Sequence, residues 1–455
     1  MQRFYTIKKR SFPVGIIRNN RRCYYVLTFG SGRGKNRIGG KMEKKFTSKR
    51  AIAGVFANAL NLLAEGTPKH QQQTAYLAYR MANELGYPEE DRIEIIWDAL
   101  MYDVGSVILP VPAEGKEYSF QELSAAGLNI VGDVNQLQFV RRMFQAGQAE
   151  QPGDPAYEVL SKEARFAEII DLSRRVSKLL RQDDAALNQV EDICETIANK
   201  AGKELQTWAV ECFLRVAKIE FIWMDLLHQP EVVLTYIPDG MDLSLDESIQ
   251  LARFMSRVID FRSSYTAAHS VGVAVSSVRL AEIMGMSEDE CKMMLIAGYV
   301  HDIGKLKVPK NILEKGDKLT DEEFNVVKEY AYYTHLLLKD LPGFEQIGRW
   351  AALHHEKLNG YGYPFGLRAK DIPMGAQILA VADMFSALGE ARAYRQSVEK
   401  EGVMKALAES IEKGAVSGYI VELMLKNFDD IFTIRDEEVR KESARYYASL
   451  VDTEE

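Results

Sequence analysis

Four of the chain's seven histidines and two of its aspartates fall in one spaced series: His269, His301-Asp302, His354-His355 and Asp383. Imidazole and carboxylate together suit a divalent transition metal such as iron, manganese, zinc or nickel. A central carboxylate can bridge two ions, and adjacent histidines can both reach a site from a helix end. Two bridged metals about 3.5–4 Å apart are the standard device for in-line attack at phosphorus. Each residue alone has an ordinary explanation: a helix-start histidine, a chance HD dipeptide, a surface HHE cluster. Asp383 resists it, because it sits in the apolar run ILAVADMF, where a carboxylate is expensive unless paired or coordinated. The HD pair likewise ends an apolar run, MMLIAGYV.

The elements that must position these residues read as helices. From about residue 46 onward apolar side chains recur at three-to-four spacing, as in VFANALNLLA, IIDLSRRVSKLL and IQLARFMSRVI. The chain also repeats itself. Residues 70–110 align without a gap on 269–309, at an offset of 199, with nine of 41 positions identical. His70 falls on His269, Gly86 on Gly285, Asp103 on Asp302, Gly105 on Gly304 and Pro110 on Pro309. Further on, ARFAEIID places Asp171 on Asp383. The repeat is lopsided: Tyr102 stands for His301, Ser106 for Lys305, and Arg142-Met143 for His354-His355. The expected organisation is a basic, β-prone segment over 1–45, a degenerate helical copy over 46–235 and a competent copy over 236–455. TYIPDGMDLSLDESI is the expected linker and helix start, with Asp/Ser capping signals.

Length, 455 residues, allows two to three domains and a large core. No stretch approaches the roughly 18–20 unbroken apolar residues that a bilayer span needs. The opening MQRFYTIKKRSF has no apolar signal-peptide core, and the four cysteines are scattered without a CxxC. These features predict a cytoplasmic protein with free thiols. The net charge of −8 hides an asymmetry: residues 1–50 carry 15 Lys/Arg and one acid, a net +14. Such an arm suits phosphate-bearing ligands, nucleic acid or an acidic protein, or else forms a small basic domain. FYTI, VGII and CYYVLTF within it are β-prone. GSGRGKNRIGGK lacks the spacing of a phosphate loop.

His269, HDIGK, HHEKLNGYGYP and ILAVADMFSALGEARAYRQ together resemble the HD-GYP family, a branch of the HD metal-dependent phosphohydrolases. The signature tripeptide is Gly362-Tyr363-Pro364, and the likeness covers about 250–430. It implies an all-α helical fold and hydrolysis of a cyclic dinucleotide, cyclic di-GMP foremost and 3′3′-cyclic GMP-AMP next. It implies His269, His301, Asp302, His354, His355 and Asp383 as ligands of two divalent transition-metal ions, iron or manganese, with Asp302 bridging them. Lys305 would neutralise a phosphate oxygen, Arg392 and Arg395 would hold phosphates, and Gly362 and Tyr363 would shape and stack on the substrate. Cyclic dinucleotide is the implied partner; GGDEF-type or other signalling proteins and a second copy of the chain are further ones the resemblance leaves open.

One departure matters. The family carries a histidine ligand on the helix after LTDEEF, and here Tyr330 stands in that place. His335 lies five residues on, about 140° around a helix at 100° per residue, and should face elsewhere. Asn359 and Ser386 replace usual acids, and Tyr265 stands where a glutamate for a third ion would be, so two ions at most are expected. Intact HDIGK, HHE and Asp383 favour an enzyme, while Tyr330 favours a catalytically weak or inactive sensor of the same ligand. A nucleic-acid-binding role for the basic arm is the least favoured reading, because the body is acidic.

Overall fold

The computed structural model describes residues 45–63, 69–109, 118–132, 134–147, 162–240, 242–262, 268–390 and 399–448, together with the backbone of 15–19, 22–26 and 449–451. Residues 1–43 group by themselves as one unit, and 44–455 as a second. In the first, β1 (Gly15–Asn19) pairs antiparallel with β2 (Arg22–Val26), from Gly15 opposite Val26 to Asn19 opposite Arg22. These strands fall on the VGII and CYYVLTF runs; FYTI and the glycine-rich loop lie outside the described residues.

Among the described residues the second unit is all-α apart from a short ladder between β3 (Thr47–Ser48) and β4 (Asp242–Leu243) and an isolated bridge between Ala201 and Leu205. Its first half holds α1 (Lys49–Asn61), α2 (His70–Glu84), α3 (Glu89–Met101), α4 (Phe120–Val131), α5 (Gln138–Gly147) and α6 (Lys162–Leu179). Then come α7 (Val190–Ala198), α8 (Thr207–Val216) and α9 (Glu220–His228). The second half holds α10 (Leu245–Asp260), α11 (His269–Ile283), α12 (Glu288–Val300), the short α13 (Lys310–Leu313) and α14 (Asp321–Leu338). It closes with α15 (Glu345–Ala352), α16 (Met374–Gly389), α17 (Lys400–Glu412), α18 (Gly418–Lys426) and α19 (Phe428–Val451).

The two halves pack alike. Helix α2 lies on α3 and α6 as α11 lies on α12 and α16, and a 3₁₀ turn after α3 or α12 rests on α4 or α14. Local sequence sets the equivalent helix starts. Ser119 and Glu122 form a capping box at α4, and Thr320 and Glu323 form one at α14. Of the matched glycines, Gly86 and Gly285 both take a positive φ, and Gly105 and Gly304 are explained by close approach. A Cβ on Gly105 would lie 2.1 Å from the Leu123 carbonyl oxygen and 2.8 Å from Gly127 N. One on Gly304 would lie 2.0 Å from the Tyr330 oxygen and 2.7 Å from Thr334 N. Leu123 of the first copy therefore occupies the place of Tyr330.

One apolar cluster runs through both halves, from Ile52 to Tyr446. Polar ties cross it. Arg50 Nε donates to the Ile237 carbonyl at 2.8 Å, and Arg257 Nη1 to the Ile130 carbonyl at the end of α4 at 3.4 Å. Arg257 Nε also meets Glu442 of α19 at 2.6 Å, deep in the interior. The linker gives the expected start of α10, where Ser244 and Glu247 form a capping box.

The 3₁₀ turn after Asp302 sits on α14 without a methyl group to spare. Gly304→Ala should lower stability by about 3 kcal/mol, the upper end of overpacking. Gly316→Ala, where a Cβ meets open space, should stay within about 0.5 kcal/mol of the parent. Denaturant unfolding of the two metal-free variants checks this, and equal midpoints would refute it.

Candidate metal centre

Each candidate ligand stands at an element end or on a buried helix face. His269 opens α11, whose start is fixed by Asp260: its carboxylate accepts Ser270 N–H at 2.8 Å and the Ser270 hydroxyl at 2.7 Å. His301 and Asp302 follow α12 directly. The turn after them is held by Arg262, whose Nη1 donates to the carbonyls of Lys305, Leu306 and Val308 at 2.8–2.9 Å. Thr334 Oγ1 adds a bond to the His301 carbonyl at 3.1 Å. His354 and His355 follow α15, and Asp383 projects from α16.

These six residues converge. Three overlapping groups each place their ligand atoms within 4.8 Å of one another: His269, His301 and Asp383; His301, Asp302 and His354; His354, His355 and Asp383. His269 Nε2 is 3.1 Å from Asp383 Oδ1 and 3.9 Å from Asp302 Oδ2. His301 Nε2 is 3.3 Å from Asp302 Oδ2, and His354 Nε2 is 4.0 Å from Asp302 Oδ1. The outer ring nitrogens are already committed. His301 Nδ1–H donates to the Gly298 carbonyl at 2.8 Å and His354 Nδ1–H to the Ala351 carbonyl at 2.6 Å. Each ring thus turns Nε2 inward, the arrangement that metal-binding histidines use.

The electrostatics suit cation binding. Burial alone would raise the Asp302 carboxyl, but the His301, Lys305 and His269 charges hold it well below the usual carboxylate range. Asp383 is also held down, against burial, by the hydrogen bond and charge of His269. Burial pushes His355 down to about 4 against the pull of Asp383 and Asp302, and pushes His354 well below its ordinary value with the His355 and His301 charges adding to it, so both rings are neutral donors of lone pairs. His301 Nε2 and Asp302 Oδ1 are buried with no hydrogen-bond partner. Such orphaned groups cost about 1–3 kcal/mol each unless something satisfies them. A divalent ion does so, and the His/Asp donor set fits one.

The other expected site residues lie around this cluster. Lys305 Nζ pairs with Asp302 and sits 5.0 Å from the Tyr330 ring centroid. The Tyr330 hydroxyl lies 3.0 Å from His354 Nε2 and also bonds His355 Nε2. Burial, with Asp302 nearby, keeps that phenol protonated. His335 packs on Phe365, ring centroids 5.3 Å apart, away from the cluster. Tyr363 covers His355 at 4.8 Å. A Cβ on Gly362 would lie 2.3 Å from Lys357 N, so the space this glycine leaves is filled by the chain's own backbone. Arg392, Arg395 and Tyr265 lie outside the described residues. A cavity of about 240 Å³ beside Tyr330 is walled by Leu62 and Leu63 of the first copy and by Arg262, Lys307 and Val308 of the second.

Three supporting carboxylates escaped the sequence reading. Glu356 accepts the backbone N–H groups of Phe365, Gly366 and Leu367 at 2.7–3.1 Å and so ties down the loop after the signature tripeptide. Glu390 accepts His269 Nδ1–H at 3.0 Å. Asp260 orients α11, as above. Glu390 left a usable signal: it follows Asp383 by seven residues, two helical turns, and so shares its face.

In the first copy the equivalent groups are met by the chain's own side chains. Tyr102 O–H reaches His70 Nε2 at 2.5 Å, His70 Nδ1 meets Ser177 Oγ at 2.7 Å, and Ser177 donates to Gln73 at 2.7 Å. Burial pushes His70 down to about 3, so its ring is neutral and its Nε2 lone pair is taken by the phenol. Asp171, in the place of Asp383, is neutralised by Arg174 at 2.8 Å and Arg175 at 2.9 Å.

With this geometry in hand, comparison with known proteins is informative. The HD domain family matches residues 253–413. The 3′3′-cGAMP-specific phosphodiesterase 1 of Vibrio cholerae is 30% identical over 290 residues, 61% of this chain and 67% of that protein. The cyclic di-GMP phosphodiesterase response regulator RpfG of Xanthomonas campestris is 39% identical over 145 residues, 31% of this chain and 38% of that one. A crystal structure of a cyclic GMP-AMP-specific phosphodiesterase from V. cholerae, V-cGAP3, shares the fold. Its TM-score is 0.58 at 20% identity, over 84% of this chain and 97% of that one. The chain belongs to the HD-GYP family of HD-domain phosphohydrolases. It spans two-thirds of the first of these relatives and about two-fifths of the next two, which are also cGAMP-specific phosphodiesterases. No described helix is long and apolar enough to cross a membrane.

Metal content should separate the two copies. Asp302→Ala should strip the transition metal from the purified protein, because its carboxylate lies within 4.0 Å of the ring nitrogens of His269, His301 and His354. His70→Ala should leave the metal content unchanged. Elemental analysis of both variants checks this, and a loss of metal from His70→Ala would overturn the reading of the first copy.

Proposed function

We propose that the chain is a metal-dependent phosphodiesterase that opens a cyclic dinucleotide, with the six ligands holding two transition-metal ions, iron or manganese. The observation that carries the reading is the sharing of His301, His354 and Asp383 between overlapping ligand groups. Shared members are what two neighbouring ions require. When bound, such ions supply an activated water for attack at phosphorus and charge to meet the developing negative charge. The chain's own residues set the rest. Asp302 stays ionised in the interior, with a geometry suited to both outer groups. Lys305 rests on Asp302 and is close enough to the centre to meet a phosphate oxygen. Tyr363 lends an aromatic face, and Arg392 and Arg395 are assigned to the phosphates by the family pattern. The first copy serves as packing partner and wall of the cavity beside Tyr330. A GGDEF-type partner, a second copy of the chain and a cytoplasmic setting belong to the same proposal.

The cGAMP-specific relative matches over more residues than the second copy contains, whereas the cyclic di-GMP relative matches over 145. Both dinucleotides are therefore the first substrates to test. One observation favours a second reading, a sensor: the Tyr330 hydroxyl fills the space between His354 and His355, where a second ion would otherwise be ligated.

Protein purified without oxygen and loaded with iron or manganese should convert at least one of the two dinucleotides to a linear product. Asp302→Ala should abolish the conversion. Tight binding without any product from the loaded protein would decide for the sensor. Tyr330→His replaces a neutral phenol, a poor ligand with a pKa of roughly 10 when unperturbed, by an imidazole. It should raise metal occupancy and rate, while His335→Ala should change neither. Loss of activity in Tyr330→His would make the phenol a working part of the site.

A further inference from the structure

We infer that Glu390 and Arg435 are positioning residues of the metal centre, acting on it through His269. The inference rests on the metal-centre reading above and adds residues from outside the ligand set. His269 is the one described ligand whose outer nitrogen meets a carboxylate: Nδ1–H donates to Glu390 Oε2 at 3.0 Å. His301 and His354 use backbone carbonyls for that task. A carbonyl is fixed by its helix, but a glutamate side chain must itself be held.

Arg435 does the holding. Its Nη2 meets Glu390 Oε1 at 2.9 Å and the Ser386 carbonyl at 3.3 Å, so one guanidinium grips both the carboxylate and the last turn of α16. Arg435 comes from α19, far along the chain, and is 3% exposed. Its path is built. A Cβ on Gly272 of α11 would come within 3.4 Å of Arg435 Nε, and one on Gly389 of α16 within 3.3 Å of its Nη1. The two helices that carry His269 and Asp383 thus both present glycine to this side chain. Two turns further along α19, Glu442 meets Arg257 at 2.6 Å, and Arg257 reaches the end of α4. Seven residues apart, Arg435 and Glu442 share a helix face. The face that anchors α19 against the first copy is therefore the face that fixes His269.

A carboxylate behind a ligating histidine fixes its tautomer and ring plane and raises its basicity, and its loss typically weakens metal binding about 10- to 100-fold. Glu390→Gln is nearly isosteric and removes only the charge. Titration of metal-free protein with manganese(II) should show one class of ion bound about 10- to 100-fold more weakly in this variant, under conditions where circular dichroism shows the metal-free variant folded. Arg435→Met should match it, and Arg435→Lys, which keeps a cation, should recover most of the affinity. Nitrogen NMR of the histidine rings should show the His269 signal, assigned by its absence in His269→Ala, losing its fixed Nδ1–H tautomer in Glu390→Gln. Wild-type manganese affinity in a folded Glu390→Gln, or equal weakness of Arg435→Lys and Arg435→Met, would overturn the inference. His269→Ala is the control for the underlying reading: if it binds manganese as the parent does, the metal-centre assignment fails and not the support alone.

Discussion

An ionised carboxylate at the centre of an apolar helical bundle is the constraint on which the second copy is built. Asp302 is 1% exposed, and water cannot satisfy it. Burying such a charge is strongly unfavourable unless cations and hydrogen bonds replace the lost solvent. The surroundings answer that demand at several levels. Arg262 and Thr334 lock the turn that carries the residue, Lys305 supplies a mobile cation, and His301, His354 and His269 aim nitrogens at it. One carboxylate oxygen and the His301 Nε2 are nevertheless left without a hydrogen-bond partner. A protein interior rarely tolerates such groups unless they have a job, and a metal ion is the partner whose chemistry matches both.

The first copy shows what the same scaffold does once that job is gone. Where His301 would be, Tyr102 closes a chain of hydrogen bonds through His70, Ser177 and Gln73. Where Asp383 would be, Asp171 has two guanidiniums upon it. The interior remains polar, yet His70, Tyr102 and Ser177 now bond to one another, and the counter-charge of Asp171 is covalently part of the chain. The two copies are thus two answers to one problem of burial. The persistence of His70 does not by itself signal a ligand, because its Nε2 is met by the Tyr102 phenol and its Nδ1 by the Ser177 hydroxyl.

Much of this was legible in the amino-acid order. The six candidate ligands could be picked out because polar residues inside apolar helical runs are conspicuous, as Asp383 is in ILAVADMF. The repeat could be read because the matched glycines answer backbone demands: Gly86 and Gly285 take a positive φ, and Gly105 and Gly304 meet a helix backbone at nearly the same distances. The supports were harder to see. Glu390 and Arg435 are 45 residues apart, and Asp260 and Glu356 look like ordinary helix-end and loop acids. Their roles come from which helices touch, and spacing along the chain does not carry that information. Gly362 was read for its nearness to ligand, whereas the described contact is with the chain's own backbone at Glu356 and Lys357.

The fixed contact at Gly304 also bears on Tyr330. Helix α14 cannot slide along the 3₁₀ turn, because Tyr330 O and Thr334 N both press on the glycine and Thr334 bonds the turn on either side, to Gly304 N and to the His301 carbonyl. Its rotation is fixed by the same three contacts. The side chain at 330 is therefore presented to His354 and His355 whatever its identity, and the side chain at 335 is turned to Phe365. A tyrosine here keeps the direction of the family's histidine but is longer, so its hydroxyl arrives among the ring nitrogens themselves. The helix register thus explains why this position, and not His335, meets the His354 and His355 rings.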